Sequence, residues 1–456
     1  APGTSRPTMC ADMARSVVGA DVLGRMEGDA VVLTVANTVG ALDYAVSAGT
    51  TPAADDDAHA SRAEGGAGTS RADTPRINPA ELFRSEITRP QGGAFLVQCP
   101  PRRYNVRLDG PRAHVKEKSM SKEYKVGLVG VGAVGAEMIK VLKDRGFPCG
   151  KVQVFASRAR DEVIGGETYH VRKADENSFK GLDIVLFAGK TDVARQLRDA
   201  VVKAGAKMID NSRAFRQDPD VPLVVPQVNP EDLDWNKGVI ANPNCTTAIM
   251  LEAVAPLHKA KGLKRLVAAT YQAASGAGKP GLDELEDQIH AYAKGEPLAV
   301  KAFQHPLMCN LIPHIDAFDE TNWYTLEELK MRNEARKMLH LPALRLSCTC
   351  VRVPIARAHS ESLNLEFEED ITPEEAREIL SRAEGVKVVD DPLNGGYPMP
   401  LDATAKDDVL VGRIRQDISR DDRKGLEMFV SGDQLLRGAA LNAVEIAEHL
   451  VARGLV

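Results

Sequence analysis

The spacing of apolar positions becomes regular near residue 122 and then alternates between two periods. Short runs of branched apolar residues, typical of buried parallel strands, are separated by stretches with the helical period. The predicted strands cover residues 124–130, 151–155, 184–187, 207–210 and 239–241. The predicted helices run to about residue 142, over 191–204 and over 248–257. This alternation predicts an α/β fold built on a doubly wound parallel sheet.

The second half of this region mixes strands and helices less regularly. A strand predicted from residue 270 runs into the glycine-rich loop 275–278, and another begins at 348 and continues to His359. The last 20 or so residues, about 434–452, have the apolar period of an amphipathic helix.

A glycine-rich turn follows the first predicted strand. Its spacing G-x-G-x-x-G matches the dinucleotide fingerprint of a Rossmann-like sheet, in the strand–turn–helix context that this motif requires. Glycines permit the tight turn and the close approach of the backbone to a pyrophosphate at the helix N-terminus. The residues predicted to bind the cofactor here are Gly130, Val131, Gly132, Ala133, Val134 and Gly135.

The residues after the second strand indicate which dinucleotide binds. An NAD site usually places a carboxylate there for the ribose hydroxyls, whereas this chain has Ser157, Arg158 and Arg160. Hydroxyl and guanidinium groups suit a 2′-phosphate, so the sequence favours NADP. The alternative is a solvated basic loop, and the sequence does not decide between the two arginines.

Residues 1–120 have a different composition. Residues 50–74 consist largely of Ala, Gly, Asp, Ser and Arg and cannot bury enough apolar surface to fold. We therefore expect a disordered or non-native extension. Translation starting at Met120 would explain it, because Lys116-Glu117 can be encoded by a purine-rich ribosome-binding tract. The competing interpretation is a genuine regulatory extension.

Charge and cysteine content exclude several function classes. A net charge of −6 gives no electrostatic basis for binding nucleic acid. The seven cysteines are odd in number and widely scattered, which fits a reducing cytoplasm better than a disulfide framework. No Cys/His cluster has zinc spacing, so no metal is expected. The most apolar early stretch, residues 30–48, is a poor signal peptide and a poor membrane span.

Cys245 is the strongest candidate for chemistry. It lies where the strand 239–241 meets the predicted helix 248–257. A thiol near a helix N-terminus is expected to have a lowered pKa, and the backbone N–H groups there can hold an oxyanion. A distant histidine such as His359 suits a Cys/His acyl-transfer site. Taken singly, each has a plainer explanation, a buried cysteine in a turn and a structural histidine.

Seven separated blocks, in order, resemble aspartate-semialdehyde dehydrogenase over residues 122–456. They are the glycine loop at 129–135, AFRQDPDVPLVVPQVN at 214–229, NPNCTT at 242–247, YQAASGAG at 271–278, EELK at 327–330, CVRVPIARAHS at 350–360 and GDQLLRGAALNAVEIAE at 432–448. Residues 1–119 have no counterpart in that pattern.

The resemblance implies NADPH-dependent reduction of L-aspartyl-4-phosphate to L-aspartate 4-semialdehyde with release of phosphate. This reaction leads to lysine, methionine, threonine and diaminopimelate. The implied architecture is an NADP-binding domain of residues 121–247 plus 434–456, and an α+β catalytic and dimerisation domain of residues 248–433. A cytoplasmic homodimer that binds only small molecules is expected.

The resemblance also implies roles for individual residues. Cys245 matches the nucleophile that forms a thioester, and His359 matches the acid/base, for which a pKa near working pH is suitable. Gln272 matches the residue that orients substrate and histidine. The substrate-binding residues implied are Arg352 for the α-carboxylate, Glu327 for the amino group, and Lys330 and Arg216 for the phosphate. The cofactor-binding residues implied beyond the glycine loop are Ser275, Gly276 and Gln434.

Ordinary ion pairs are the plain alternative for the four charged substrate residues. At the level of function, the alternatives are an N-acetylglutamyl-phosphate reductase, whose blocked substrate needs no partner for an ammonium group, a glyceraldehyde-3-phosphate dehydrogenase, and a non-enzymatic dinucleotide sensor on the same fold. The basic loop after the second strand argues against the NAD-dependent glyceraldehyde enzyme.

Overall fold

The computed structural model describes residues 21–27, 30–37, 40–47 and 122–456. Residues 1–108 and 109–456 form two separate units. In the first, strands β1 (Asp21–Glu27), β2 (Ala30–Asn37) and β3 (Gly40–Ser47) form an antiparallel sheet in that order. The extension expected over residues 1–120 thus contains three strands. Its other residues, with the proposed start at Met120, lie outside the described residues.

The second unit contains two sheets, and the first has seven strands in the order β10-β9-β8-β4-β5-β7-β6. Its strands are β4 (Val126–Val129), β5 (Gln153–Ala156), β6 (Arg160–Ile164), β7 (Glu167–Lys173), β8 (Ile184–Phe187), β9 (Lys207–Asp210) and β10 (Val239–Ala241). All neighbours pair in parallel except β6, which forms an antiparallel edge hairpin with β7. The chain leaves β4 for β5 on one side and later returns to β8 on the other. Ligands bind at such a switch point in doubly wound sheets.

Helices cover both faces of this sheet, which explains why β4 and β8 are buried at every position. The helices are α1 (Ala133–Asp144), α2 (Thr191–Lys203) and, from the C-terminus of the chain, the last helix Leu441–Ala452. The last helix contacts α1 and shares a hydrophobic cluster with it. The last helix also contacts β9, so the C-terminal segment packs on the first sheet.

The second sheet has six strands in the order β12-β11-β13-β16-β15-β14. Its strands are β11 (Leu263–Gln272), β12 (Arg345–Arg352), β13 (His359–Phe367), β14 (Val386–Val388), β15 (Val409–Gln416) and β16 (Gly425–Gly432). The pairs β11/β12 and β14/β15 are parallel and the other pairs are antiparallel. The sequence predicted a single strand through 348–360, whereas the structure has two strands separated by the loop 353–358.

One face of the second sheet is covered by helices. The helices of this half are α3 (Cys245–Lys261), α4 (Gly278–Lys294), α5 (Leu326–Met338), α6 (Pro373–Ser381) and α7 (Pro400–Ala403). The C-terminal helix Leu441–Ala452, which packs on the first sheet, is α8. Helix α3 contacts α5, α6 and four strands, and its apolar side chains join the central cluster. No helix among the described residues is long and apolar enough to cross a membrane.

Several helix boundaries have a clear local cause. Helix α5 begins with a capping box in which Thr325 accepts from the Glu328 N–H and the Glu328 carboxylate accepts from the Thr325 N–H. Helix α3 begins at Cys245 because the Asn244 side chain accepts from the N–H groups of Thr246 and Thr247. A π-helix, Leu436–Ala440, precedes α8.

Candidate active site

The glycine turn between β4 and α1 is shaped to admit a phosphate group. Gly130 has φ of +101°, and a Cβ on Gly135 would lie 2.1 Å from the Gly130 carbonyl oxygen, so both positions require glycine. A Cβ on Gly132 would meet no atom within 4 Å, which leaves open space above the turn. No side chain caps the first turn of α1. Its N–H groups can therefore hold a pyrophosphate.

The basic turn after β5 is exposed. Ser157 and Arg158 are both exposed, and no ion pair joins Arg158 to another residue within 122–456. Arg160 instead pairs with Glu162 at 2.6 Å and donates to the Arg158 carbonyl oxygen at 3.4 Å. Of the two arginines left open by the sequence, Arg158 is thus the one with its guanidinium uncommitted.

The predicted nucleophile lies on the first turn of α3. Cys245 is half-buried, and its sulfur lies 3.9 Å from the Thr246 hydroxyl. Burial, followed by the negative charge of Glu327, raises the pKa of the Cys245 thiol to about 11, against the lowering effects of Arg216 and Arg352. The expectation of a lowered pKa is therefore wrong, because burial of the thiol, together with a carboxylate distant in sequence, outweighs the arginines.

His359 begins β13 and is fully buried. Its Nδ1 accepts the Ala273 N–H at 3.0 Å, which places the hydrogen of the neutral ring on Nε2. Within residues 122–456, Nε2 is buried and has no hydrogen-bond partner. Burial and Arg352 lower the pKa of His359 to about 3, so the ring is neutral near pH 7. The expectation that this histidine titrates near working pH is wrong, because the ring is desolvated and adjacent to a cation.

Arg352, His359 and Gly276 converge at one point. A Cβ on Gly276 would lie 2.7 Å from Nη1 of Arg352 and 3.2 Å from Nε2 of His359, so only glycine fits there. Arg352 also donates to the Ala273 carbonyl oxygen at 2.6 Å. Parallel pairing of β11 and β12 sets Gln272 directly beside Arg352. The two residues predicted near the substrate are thus neighbours in register.

Glu327 is at the centre of a hydrogen-bond network. Its Oε1 accepts from the side-chain amides of Asn244 at 2.9 Å and Gln272 at 3.1 Å, and Oε2 accepts from Lys330 at 2.9 Å. Burial alone would raise the pKa of Glu327, but Lys330 and the two amides overcome it and lower the pKa to about 2. The carboxylate is therefore ionised in a site that excludes most water.

Arg216 and Lys330 line one cavity of about 300 Å³, together with Arg213, Asn333 and Glu334. Lys330 contacts Asp316 at 2.8 Å as well as Glu327, and these bonds use two of its three ammonium hydrogens. The pair Glu327–Lys330 is a partly buried ion pair, unlike the surface pair that spacing alone would suggest. The two cations predicted to bind phosphate are brought together.

The last predicted cofactor residues form a chain of hydrogen bonds behind His359. Gln434 donates to the Ser275 hydroxyl at 2.5 Å, and its carbonyl oxygen accepts the Ala358 N–H at 2.8 Å. Ser275 in turn donates to the Ala356 carbonyl oxygen. An amide has two hydrogens, and within residues 122–456 only Ser275 accepts one from Gln434, so the second is available to a ligand.

Three residues near the site were not predicted from the sequence. Asn244 caps α3 and binds Glu327, and an Asn directly before a helix is a recognisable cap signal. Glu334 contacts both Arg216 and Asn244, and its spacing of seven from Glu327 places it on the same helical face. Gly438 packs on Cys245, since a Cβ there would lie 2.6 Å from that of the cysteine. No local pattern signals this last contact.

A buried ion cluster fixes the π-helix behind the nucleophile. Arg437, 3% exposed, pairs with Glu252 of α3 at 3.2 Å and with Glu445 of α8 at 2.6 Å. Burial raises the pKa of Glu252 to about 8 despite Arg437. The cluster links α3, which begins at Cys245, with the π-helix and α8. Arg437, which directly precedes Gly438, therefore has little freedom to move.

A dinucleotide-type sheet is joined to a second sheet that carries Arg352 and His359, with Cys245 at the start of α3. This arrangement defines a nicotinamide-dependent dehydrogenase. Family models agree with this class. Residues 125–236 match the semialdehyde dehydrogenase NAD binding domain, and residues 254–437 match the semialdehyde dehydrogenase dimerisation domain.

Characterised proteins resemble the chain over most of its length. Aspartate-semialdehyde dehydrogenase of Aquifex aeolicus is 47% identical, covering 73% of this chain and 99% of the relative. That of Bacillus subtilis is 42% identical, covering 74% and 100%. The crystal structure of aspartate semialdehyde dehydrogenase II from Vibrio cholerae, complexed with ASA, has a TM-score of 0.69 and 37% identity, covering 73% and 99%. The chain belongs to the aspartate-semialdehyde dehydrogenase family, and it is an oxidoreductase that uses a nicotinamide cofactor.

Proposed function

We propose that the chain catalyses the NADPH-dependent reduction of L-aspartyl-4-phosphate to L-aspartate 4-semialdehyde, with release of phosphate. The observation that carries this proposal is the buried, ionised carboxylate of Glu327, connected through Asn244 to the helix of Cys245. A carboxylate in that position suits a free ammonium group on the substrate. An N-acetylated substrate has no ammonium group to offer this carboxylate, which disfavours the N-acetylglutamyl-phosphate alternative.

Arg352 is proposed to hold the substrate α-carboxylate. One guanidinium hydrogen is used by the Ala273 carbonyl oxygen, which fixes the plane and leaves other N–H groups for a bidentate contact. Gln272 is fixed between the Thr270 hydroxyl at 3.0 Å and Glu327 at 3.1 Å. With Glu327 binding the ammonium group, these contacts orient the acyl carbon towards Cys245.

The first chemical step makes a thioester. A bond forms between Cys245 Sγ and the acyl carbon while the carbon–oxygen bond to phosphate breaks, and the thiol proton leaves with the phosphate as HPO₄²⁻. Arg216 and Lys330, on one cavity, are proposed to bind that phosphate. Because the free thiol has a raised pKa, we infer that pairing of Glu327 with the substrate ammonium group aids ionisation.

The second step reduces the thioester, and the bound nicotinamide supplies the hydride. His359 is proposed to act in its neutral form, donating a hydrogen bond from Nε2 to the acyl oxygen as negative charge develops there. The N–H groups of Thr246 and Thr247 in the first turn of α3 are already bound by the Asn244 side chain, so the expectation that they hold this oxyanion is wrong for these two residues. Collapse of the hemithioacetal oxyanion then breaks the carbon–sulfur bond and releases the aldehyde, and the Cys245 thiolate takes up one proton from solvent to return to the thiol.

NADP is proposed as the cofactor, held by the turn at 130–135 and, at its 2′-phosphate, by Ser157 and Arg158. The uncommitted guanidinium of Arg158 supports this assignment. Gly276 gives the nicotinamide side close access, while Ser275 supports Gln434, whose remaining amide hydrogen is proposed to contact the carboxamide.

We further propose that the protein is a cytoplasmic homodimer. Each subunit would have an NADP-binding domain of residues 121–247 plus 434–456 and a catalytic and dimerisation domain of residues 248–433. The matched dimerisation domain supports the dimer. One face of the second sheet is covered by no helix of residues 122–456, and it carries Tyr271, which is 36% exposed and in contact with Phe429. This face is our candidate for the dimer contact.

A steady-state assay tests the function. L-aspartate 4-semialdehyde, phosphate and NADP should give phosphate-dependent reduction of NADP, with NAD used poorly and N-acetylglutamate semialdehyde not used. Turnover of the N-acetylated aldehyde alone would favour the alternative, and absence of turnover on either aldehyde would reject the proposal.

A further inference from the structure

The buried carboxylate of Glu334 connects two parts of the site that are far apart in sequence. The residue lies on α5 and is 1% exposed. One carboxylate oxygen accepts from Nη1 of Arg216 at 3.1 Å, and the other accepts the backbone N–H of Asn244 at 2.6 Å. A single side chain therefore contacts both the arginine proposed for phosphate and the residue preceding the nucleophile.

Helix α5 contacts Asn244 twice. Glu327 binds its side-chain amide and Glu334 binds its backbone, while the Asn244 carbonyl side-chain oxygen caps α3. The spacing of seven residues places both carboxylates on one face of α5. The start of α3, and with it Cys245, is thereby fixed relative to α5.

Arg216 is held on three sides. Its Nε donates to the Ser212 carbonyl oxygen at 3.1 Å, Nη2 to that of Asn211 at 2.8 Å, and Nη1 to Glu334. A guanidinium has five N–H groups, so one on each terminal nitrogen remains for an anion. Without Glu334, the two contacts of Arg216 with carbonyl oxygens would remain. The Nη1 edge of its guanidinium plane would lose the acceptor that fixes it.

A purely structural ion pair is a poor explanation for such a group. Desolvating a carboxylate and a guanidinium costs about as much as their attraction returns, so buried pairs contribute little net stability. Burial raises the pKa of Glu334, and Arg216 together with the Asn244 N–H opposes that rise. These two opposing groups are both parts of the proposed site.

We propose that Glu334 is a positioning residue that holds Arg216 and the Asn244–Cys245 turn at a fixed separation, so that phosphate and nucleophile meet the acyl carbon together. The inference depends on the proposed function, since it concerns the same phosphate. Glu334 contacts no substrate atom in this scheme and acts through Arg216 and Asn244.

The test compares Glu334→Gln with Glu328→Gln in the full-length protein. Glutamine keeps the size but loses one of the two acceptor contacts, so KM for phosphate should rise about ten- to hundredfold while KM for NADP stays unchanged. Glu328 is the matched control, a buried glutamate on α5 that contacts Thr325 and Cys350 instead of the site. Glutamine also serves in a capping box, so this variant should keep its phosphate KM.

Repeating Glu334→Gln in an Arg216→Ala background separates positioning from general damage. If Glu334 acts through Arg216, the second change should add little to the phosphate KM. An unchanged phosphate KM in the single variant, or independent additive effects in the double variant, would overturn the inference. Should Glu334→Gln not fold, Glu334→Asp, which reaches only one partner, is judged by the same phosphate KM. Failure of the wild type to turn over would instead reject the proposed function.

Discussion

Replacing Gly438 with alanine should impair catalysis without unfolding the protein. The added Cβ would lie 2.6 Å from Cβ and 2.9 Å from Cα of Cys245. Carbon atoms in contact are about 3.5–4.0 Å apart, so the two segments must separate by about 1 Å. The ion cluster around Arg437 holds the π-helix, so the displacement should fall on Cys245. A shift of about 1 Å at a reacting atom costs roughly a hundredfold in rate.

The assay is phosphate-dependent NADP reduction, with kcat and each KM measured separately. We expect kcat to fall by about two orders of magnitude and KM for NADP to stay unchanged. Gly150→Ala is the matched control, because its Cβ would meet only the carboxylate end of the exposed Glu123 side chain. A Gly438→Ala enzyme with unchanged kcat, or one that loses cofactor binding equally, would refute the reasoning.

Four further outcomes follow from the site. Cys245→Ala should abolish turnover while the melting temperature stays close to that of the wild type, and retained activity would exclude the thioester. Alkylation of Cys245 against pH should have its midpoint near 11, and Glu327→Gln should move it to lower pH because a charge that raises the thiol pKa is removed. Arg352→Lys should raise the KM of the aldehyde and lower kcat/KM, as the bidentate contact is lost, and an unaffected KM would remove Arg352 from the carboxylate site. Burial raises the pKa of Glu252 to about 8, above an unfolded value of about 4.3, so the folded state binds the extra proton and stability falls as pH rises through that window. Melting temperatures from about pH 5 to 8 should therefore fall more steeply for the wild type than for Glu252→Gln, and parallel curves would contradict this.

The first sheet was largely predictable because its strands are continuous apolar runs. Strands β8, β9 and β10 have the predicted bounds, and the glycine turn lies between strand and helix as its spacing requires. The hairpin β6–β7 was missed, since its exposed edge carries alternating charged residues instead of an apolar run. Short parallel strands can be recognised in a sequence because strands buried on both faces consist almost entirely of apolar residues.

The chemistry of the site was harder to predict because it depends on distant neighbours. The raised pKa of Cys245 comes from burial and from Glu327, 82 positions later in the numbering. The tautomer of His359 is set by an N–H from residue 273, and its low pKa by burial and Arg352. The position of Cys245 at a helix start indicates only the effect of the local helix dipole on its pKa. In the folded protein, desolvation and charges on other elements also change that pKa.

The Lys337 ammonium group donates to three carbonyl oxygens in the segment that follows Arg216, those of residues 216, 218 and 221. Closing a loop over a ligand normally carries an entropic penalty that is subtracted from the binding free energy. Here that ordering is complete before any anion arrives. Small oxyanions should therefore bind with rapid kinetics and little ordering of the backbone between residues 216 and 221.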